Sequence, residues 1–302
     1  MIFQRLAAVV LLTAAAPATA RDVPDNIEQF YKNITSQNKC SDILASGFYS
    51  KDGDKPTSVY CGDHLRDYGV IYLRGEGKSL VNMDIDCDGA QKGSPADDGR
   101  CRASDDTLSI SSFQDTIGSY GTGIKDIDAY VHPYVVFGNT GSKKDWATFN
   151  PTQHGIEPLS LMAVVCGGKL VYGIWADENG DDGDKPMVGE ASISLATACY
   201  GKDKVDGNTG HDDDDVLYIA FLGKDAVPGA TGADWNATSY DEFQSSVREL
   251  GDKLIERVGS SGGNWSAGGD GDDDSSAWVA GSPSLAASVA ASLLICSSLV
   301  FI

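Results

Sequence analysis

Leu170-Val171-Tyr172-Gly173-Ile174-Trp175 contains no polar side chain, and Ala176-Asp177-Glu178-Asn179-Gly180 follows it directly. An apolar run of this length, closed by turn-forming residues, reads as a strand buried on both faces near the centre of a sheet. Working outward, short apolar runs bounded by Gly, Asp and Asn recur at 69–74, 80–85, 134–137, 159–166 and 216–221. All have the length of strands. Helical periodicity is confined to the flanks. Residues 25–36 space Ile27, Phe30, Tyr31 and Ile34 on one face, and 240–258 do the same with Phe243, Val247, Leu250, Leu254 and Val258. The expected fold is one mainly β, barrel-like domain with peripheral helices, the last an amphipathic C-terminal helix.

The chemistry starts where the apolar run stops. Asp177 follows the strand, a Gly- and Asp-rich loop intervenes, and Gly189-Glu190-Ala191-Ser192 returns before a second apolar stretch. This order can bring two carboxylates to one sheet edge across a cleft. Glycoside hydrolysis needs such a pair, one acid to protonate the leaving oxygen and one base or nucleophile on the opposite face of the sugar. Tyr172 and Trp175 are expected to offer flat surfaces to sugar rings, and Asn179 is expected to contact substrate. The same residues have plainer readings: Asp177 as the start of an Asn-Gly turn, and Glu190 as an acid at a helix N-terminus. A calcium loop is disfavoured. Asp177, Asn179 and Asp181 alternate, but the sixth place holds Asp182 and the twelfth Val188, where an EF-hand needs Gly and Glu.

A second acidic cluster lies in Asn82-Met83-Asp84-Ile85-Asp86-Cys87-Asp88-Gly89. Alternation puts Asp84, Asp86 and Asp88 on one strand face and turns Cys87 inward. Like charges on one face repel unless a cation sits among them. That cation can be a metal ion or a row of protonated substrate amines; a solvated strand edge is the alternative. Asp84 and Asp86 are therefore expected to bind substrate. His132, His154 and His211 lack metal-ligand spacing and are expected to be structural, so neither metal nor cofactor is expected. The chain has no Gly-x-Ser-x-Gly elbow and no Gly-Lys-Ser/Thr phosphate loop, which removes serine-esterase and nucleotide readings.

The ends and the cysteines speak to compartment. Residues 1–20 combine Arg5, an apolar run, Pro17 and a small-x-small Ala18-Thr19-Ala20 site, the pattern of a secretory signal peptide. Residues 285–302 are apolar or small and uncharged. They follow Ser275-Ser276-Ala277 and a short spacer, the arrangement of a GPI-anchor signal. Residues 260–284, rich in Gly, Ser and Asp, read as a stalk, leaving 21–259 as the catalytic domain. Removing Arg5 takes the formal charge from −21 to −22, which disfavours nucleic acid and favours cationic partners. Cys296 lies in the tail; the other six cysteines, Cys40, Cys61, Cys87, Cys101, Cys166 and Cys199, suit three disulfides whose pairing the sequence leaves open. Asn33, Asn236 and Asn264 begin glycosylation motifs.

Five ordered stretches, 82–90, 128–139, 158–166, 172–177 and 189–196, together resemble the fungal chitosanases of glycoside hydrolase family 75. The resemblance runs from about Val23 to Val258. It implies endo-hydrolysis of β-1,4 linkages between glucosamine units of chitosan with inversion at the anomeric carbon. It also puts the family's essential Asp on Asp177 and its essential Glu on Glu190. Inversion calls for carboxyl groups roughly 6.5–9.5 Å apart, with Glu190 favoured as proton donor and Asp177 as base. The loop 181–187 is unusually acidic for that family, and the stalk and tail are departures from it. The expectation is a secreted, surface-anchored monomer acting on chitosan and touching the membrane only through its anchor. The competing reading is a GPI-anchored wall protein that binds sugar without cutting it.

Overall fold

The computed structural model describes residues 20–51, 55–90, 93–104 and 107–260. The expected stalk, from residue 261 on, and hydrophobic tail lie outside the described residues, as does the expected signal peptide apart from Ala20. In chain order the elements are β1 (Arg21–Asp22), α1 (Asp25–Ser36), β2 (Ile43–Phe48), β3 (Ser58–Cys61), β4 (Val70–Arg74) and β5 (Val81–Asp86). Then come α2 (Gln114–Ser119), β6 (Tyr134–Asn139), β7 (Leu161–Cys166), β8 (Lys169–Asn179), β9 (Glu190–Ser192), α3 (Ile193–Tyr200), β10 (His211–Phe221) and α4 (Tyr240–Ile255). Each apolar run read as a strand overlaps one, with β4, β5 and β7 starting one or two residues later than expected; α1 keeps the expected bounds, and α4 ends at Ile255 instead of Val258. The expectation of a mainly β domain therefore holds. No helix among the described residues is long and apolar enough to cross a membrane.

The pairings return on themselves. β8 pairs β6 and β7, β6 pairs β9, β9 pairs β5, β5 pairs β10, and β10 pairs β7, so six strands form a ring. β4, β3 and β2 extend the sheet from β10. β8 is buried on both sides, as its composition requires. Tyr172, Ile174 and Ala176 join the layer under α1 and α4, whereas Val171 and Trp175 join the layer with Leu195 and Ala196 of α3.

α4 buries Phe243, Val247, Gly251, Leu254 and Ile255. Gly251 is required: a Cβ there would lie 2.4 Å from the Tyr172 ring. Gln244 fixes the contact by accepting from the Tyr172 amide and donating to its carbonyl, both at 3.0 Å. The six cysteines pair as Cys40–Cys61, Cys87–Cys101 and Cys166–Cys199.

Candidate active site

Val136 on β6 is the pivot. Asp177 of β8 is its partner on one side and Glu190 of β9 its partner on the other. Glu190 in turn pairs with Asp84 of β5. Cross-strand partners project from the same face, and all four side chains line one cleft of about 370 Å³. Adjacent strands lie about 4.8 Å apart, so one intervening strand sets the Asp177 and Glu190 backbones roughly 9.6 Å apart.

Two local features build this row. Between the pairs Val135–Trp175 and Val136–Asp177, β6 advances one residue and β8 two. This extra residue is a bulge, and it turns Asp177 onto the face of Val136 while Trp175 stays inside. The second is Gly189, at φ +93, where a Cβ would lie 2.7 Å from Asn82 Oδ1. Without a side chain, its carbonyl accepts the Asp84 amide at 2.8 Å, bringing the short β9 against β5.

The cleft is acidic. Besides Asp84, Asp177 and Glu190 it is lined by Asp86, Asp88, Glu178 and Asp182, and by no Lys, Arg or aromatic side chain among the described residues. Crowded, half-buried carboxyls resist ionisation. Burial, then the charges of Asp86 and Asp84, push Glu190 up to about 8, against the opposing hydrogen bond from Asn179 Nδ2 to Glu190 Oε1 at 3.1 Å. Burial and the charge of Asp177 hold Asp86 well above the usual carboxylate range. Asp177 is also raised, chiefly by burial, but Ser112 and the Glu178 amide counter this with hydrogen bonds to its Oδ1. Its Oδ2 is buried and has no hydrogen-bond partner among the described residues. Three hydrogen bonds thus converge on Asp177 Oδ1, whereas Glu190 takes one from the Asn179 side chain.

Of the expected site residues, Asp84, Asp86, Asp177, Asn179 and Glu190 meet in this cleft. Tyr172 and Trp175 do not, and the expected sugar-stacking surfaces are corrected accordingly. Trp175 is fully buried, donates through Nε1 to the Asp177 carbonyl at 3.1 Å, and packs edge-on to Phe113. Tyr172 is buried under α4, with its hydroxyl donating to Asp252 at 2.7 Å and accepting from Arg21. The carboxylates of Asp86, Asp88 and Asp177 lie within 4.8 Å of one another and form the one group facing the cleft with donors for a cation among the described residues. His132 is structural: Nδ1 accepts from the Asp128 amide, Nε2 faces the Trp235 carbonyl, and burial lowers its pKa to about 4.

Sequence reasoning missed Ser112, Glu178 and Val136. Glu178 was legible as Asp177's neighbour. Ser112 lies 65 residues from its partner and carries no motif.

A family model described as fungal chitosanase of glycosyl hydrolase group 75 matches residues 83–257, which include every acid of the cleft. The chain is 42% identical over 254 residues to endo-chitosanase B of Aspergillus oryzae (strain ATCC 42149 / RIB 40), covering 83% of this chain and 98% of that one. It is 43% identical over 252 residues to an endo-chitosanase of Aspergillus fumigatus, with the same coverage of 83% and 98%. A shorter similarity, 31% over 177 residues, links it to endo-chitosanase C of Aspergillus oryzae and covers 58% of this chain and 38% of that one.

Proposed function

The chain belongs to the fungal chitosanases of glycosyl hydrolase group 75, and on that premise we propose that it cleaves chitosan internally, with Asp177 and Glu190 as an inverting catalytic pair. One observation carries the reading: the two carboxyl residues flank Val136 on one face of the sheet, inside a cleft that acids alone charge.

Glu190 is the general acid. With its pKa raised to about 8 it is protonated at neutral pH, and it donates that proton to the glycosidic oxygen as the C1–O bond breaks. Asp177 is the base. It takes a proton from water as the water oxygen attacks C1 from the opposite face. The proton passes to the Asp177 carboxylate, and both carboxyls return to their starting states by exchange with solvent. A backbone gap of roughly 9.6 Å supports the carboxyl spacing that leaves room for this water. At the start of α3 the Leu195 amide is taken by Ser192, whose hydroxyl accepts from it.

Glucosamine units carry ammonium groups, and Asp84, Asp86 and Asp88 give them carboxyl partners along β5 and the turn after it. Asn179 orients Glu190 and borders the same subsite. Charge selects the substrate, and no aromatic platform is needed. The signal-like N-terminus and three disulfides support secretion of a monomeric domain spanning 21–259. The C-terminal stretch supports a GPI anchor that holds the domain at the cell surface.

The test is product analysis. Chitosan should yield new reducing ends while cellulose does not, and proton NMR of the first products should show the α-anomer. Initial formation of the β-anomer would replace inversion with retention; binding without new ends would remove the enzymatic reading.

A further inference from the structure

A base must be ionised, and Asp177 is placed where ionisation is hard. It is 5% exposed. The groups that face it are Asp86 and Asp88 from the end of β5 and its turn, Asp126 from a loop, Glu178 beside it, Glu190 from β9 and Tyr134 from β6. None of these is a cation. Hydrogen-bond donors therefore decide its state, and two of the three that reach its Oδ1 belong to one residue. The Ser112 amide donates at 3.1 Å, the Ser112 hydroxyl donates at closer range, and the Glu178 amide donates at 2.8 Å.

We propose that Ser112 is a positioning residue for the hydrolysis: by holding Oδ1 of Asp177 from a pinned loop, it keeps the carboxylate ionised and fixed in the cleft. The proposal rests on the reading of Asp177 as base.

The loop is built for this. The Leu108 amide donates to Asp88 Oδ1 at 2.7 Å, and the Leu108 carbonyl accepts from the Gly89 amide at 3.2 Å. Ser111 donates to both oxygens of Asp126, through its amide at 2.8 Å and its hydroxyl at 2.6 Å. Phe113 stands edge-on to Trp175 with ring centres 5.0 Å apart. With its neighbours fixed on both sides, Ser112 has little freedom to turn away. Its hydroxyl also accepts from the Glu178 amide at 3.1 Å, which locks the proton of Oγ toward Asp177.

Replacing the hydroxyl leaves Asp177 with two amide donors in the same acidic surroundings. Ser112→Ala should lower kcat on chitosan by tenfold or more, with KM within about twofold. The acid limb of the kcat–pH profile should move up by about one unit, since a hydrogen bond to a charged group is worth roughly that much. Ser112→Cys, close in shape but a weak donor, should show the same displacement. Ser112→Thr, which keeps the hydroxyl, should return kcat and the limb toward the wild type. Thermal unfolding of each variant establishes that folded protein is compared. A folded Ser112→Ala or Ser112→Cys enzyme with the wild-type acid limb overturns the proposal. So does a loss of kcat that Ser112→Thr fails to rescue. Asp177→Asn is assayed in parallel: if it still cleaves chitosan, the base assignment fails. If it is inactive while Ser112→Ala keeps the wild-type profile, the positioning role alone fails.

Discussion

Glu190→Gln should make the protein inactive and, at alkaline pH, more stable. The side chain sits between Asp84 and Val136 in the sheet, and burial with the Asp86 and Asp84 charges raises its carboxyl from 4.5 to about 8. Between these values the folded protein keeps a proton that the unfolded chain has released. Folding stability therefore falls as pH rises through this window. The whole displacement corresponds to about 5 kcal/mol at 1.36 kcal/mol per unit. Asp86 and Asp177 are raised in the same cleft and share the effect, which leaves about 2–3 kcal/mol to this one substitution. Gln is neutral, nearly isosteric, and still accepts from Asn179 through its Oε1. The variant should match the wild type near pH 4.5 and exceed it by about 2–3 kcal/mol above pH 8, roughly 5–10 °C in Tm for a domain of this size. Thermal unfolding from pH 4 to 9, followed by circular dichroism, gives the difference directly. A constant difference across that range, or a variant less stable than wild type at pH 8, would refute the account of why Glu190 holds its proton.

Asp84→Asn should raise KM for chitosan several-fold while changing kcat less, and the wild-type advantage should shrink as salt rises, as initial rates from low to high ionic strength will show. Breaking Cys87–Cys101, which ties the end of β5 to the segment after it across 14 residues, should cost about 3 kcal/mol in denaturant unfolding. It should weaken chitosan turnover as well, because Asp86 and Asp88 flank Cys87 and lose their anchorage.

Much of this fold is legible in the sequence because its strands are local statements. Each is a short apolar run closed by turn residues, and 170–175 already reads as a strand without a polar face. That property also argues against Trp175 and Tyr172 as sugar platforms, since a strand covered on both faces has no side left for substrate. What places Asp177 in the cleft and Trp175 outside it is the bulge at Ala176, and a bulge leaves no mark on composition. β9 is only three residues long, too short for alternation, so the register that joins Glu190 to Val136 and Asp84 comes from partners that are remote in sequence. Ser112 is the extreme case. An ordinary loop serine becomes important only when the ring of strands brings Asp177 to it.

Reducing-end release from chitosan by folded Asp177→Asn and Glu190→Gln, beside the wild type, tests the central claim most directly. The account predicts rapid release by the wild type and a loss on the order of a thousandfold or more in each variant. Substantial cleavage by either variant would contradict it and remove that residue from the catalytic pair.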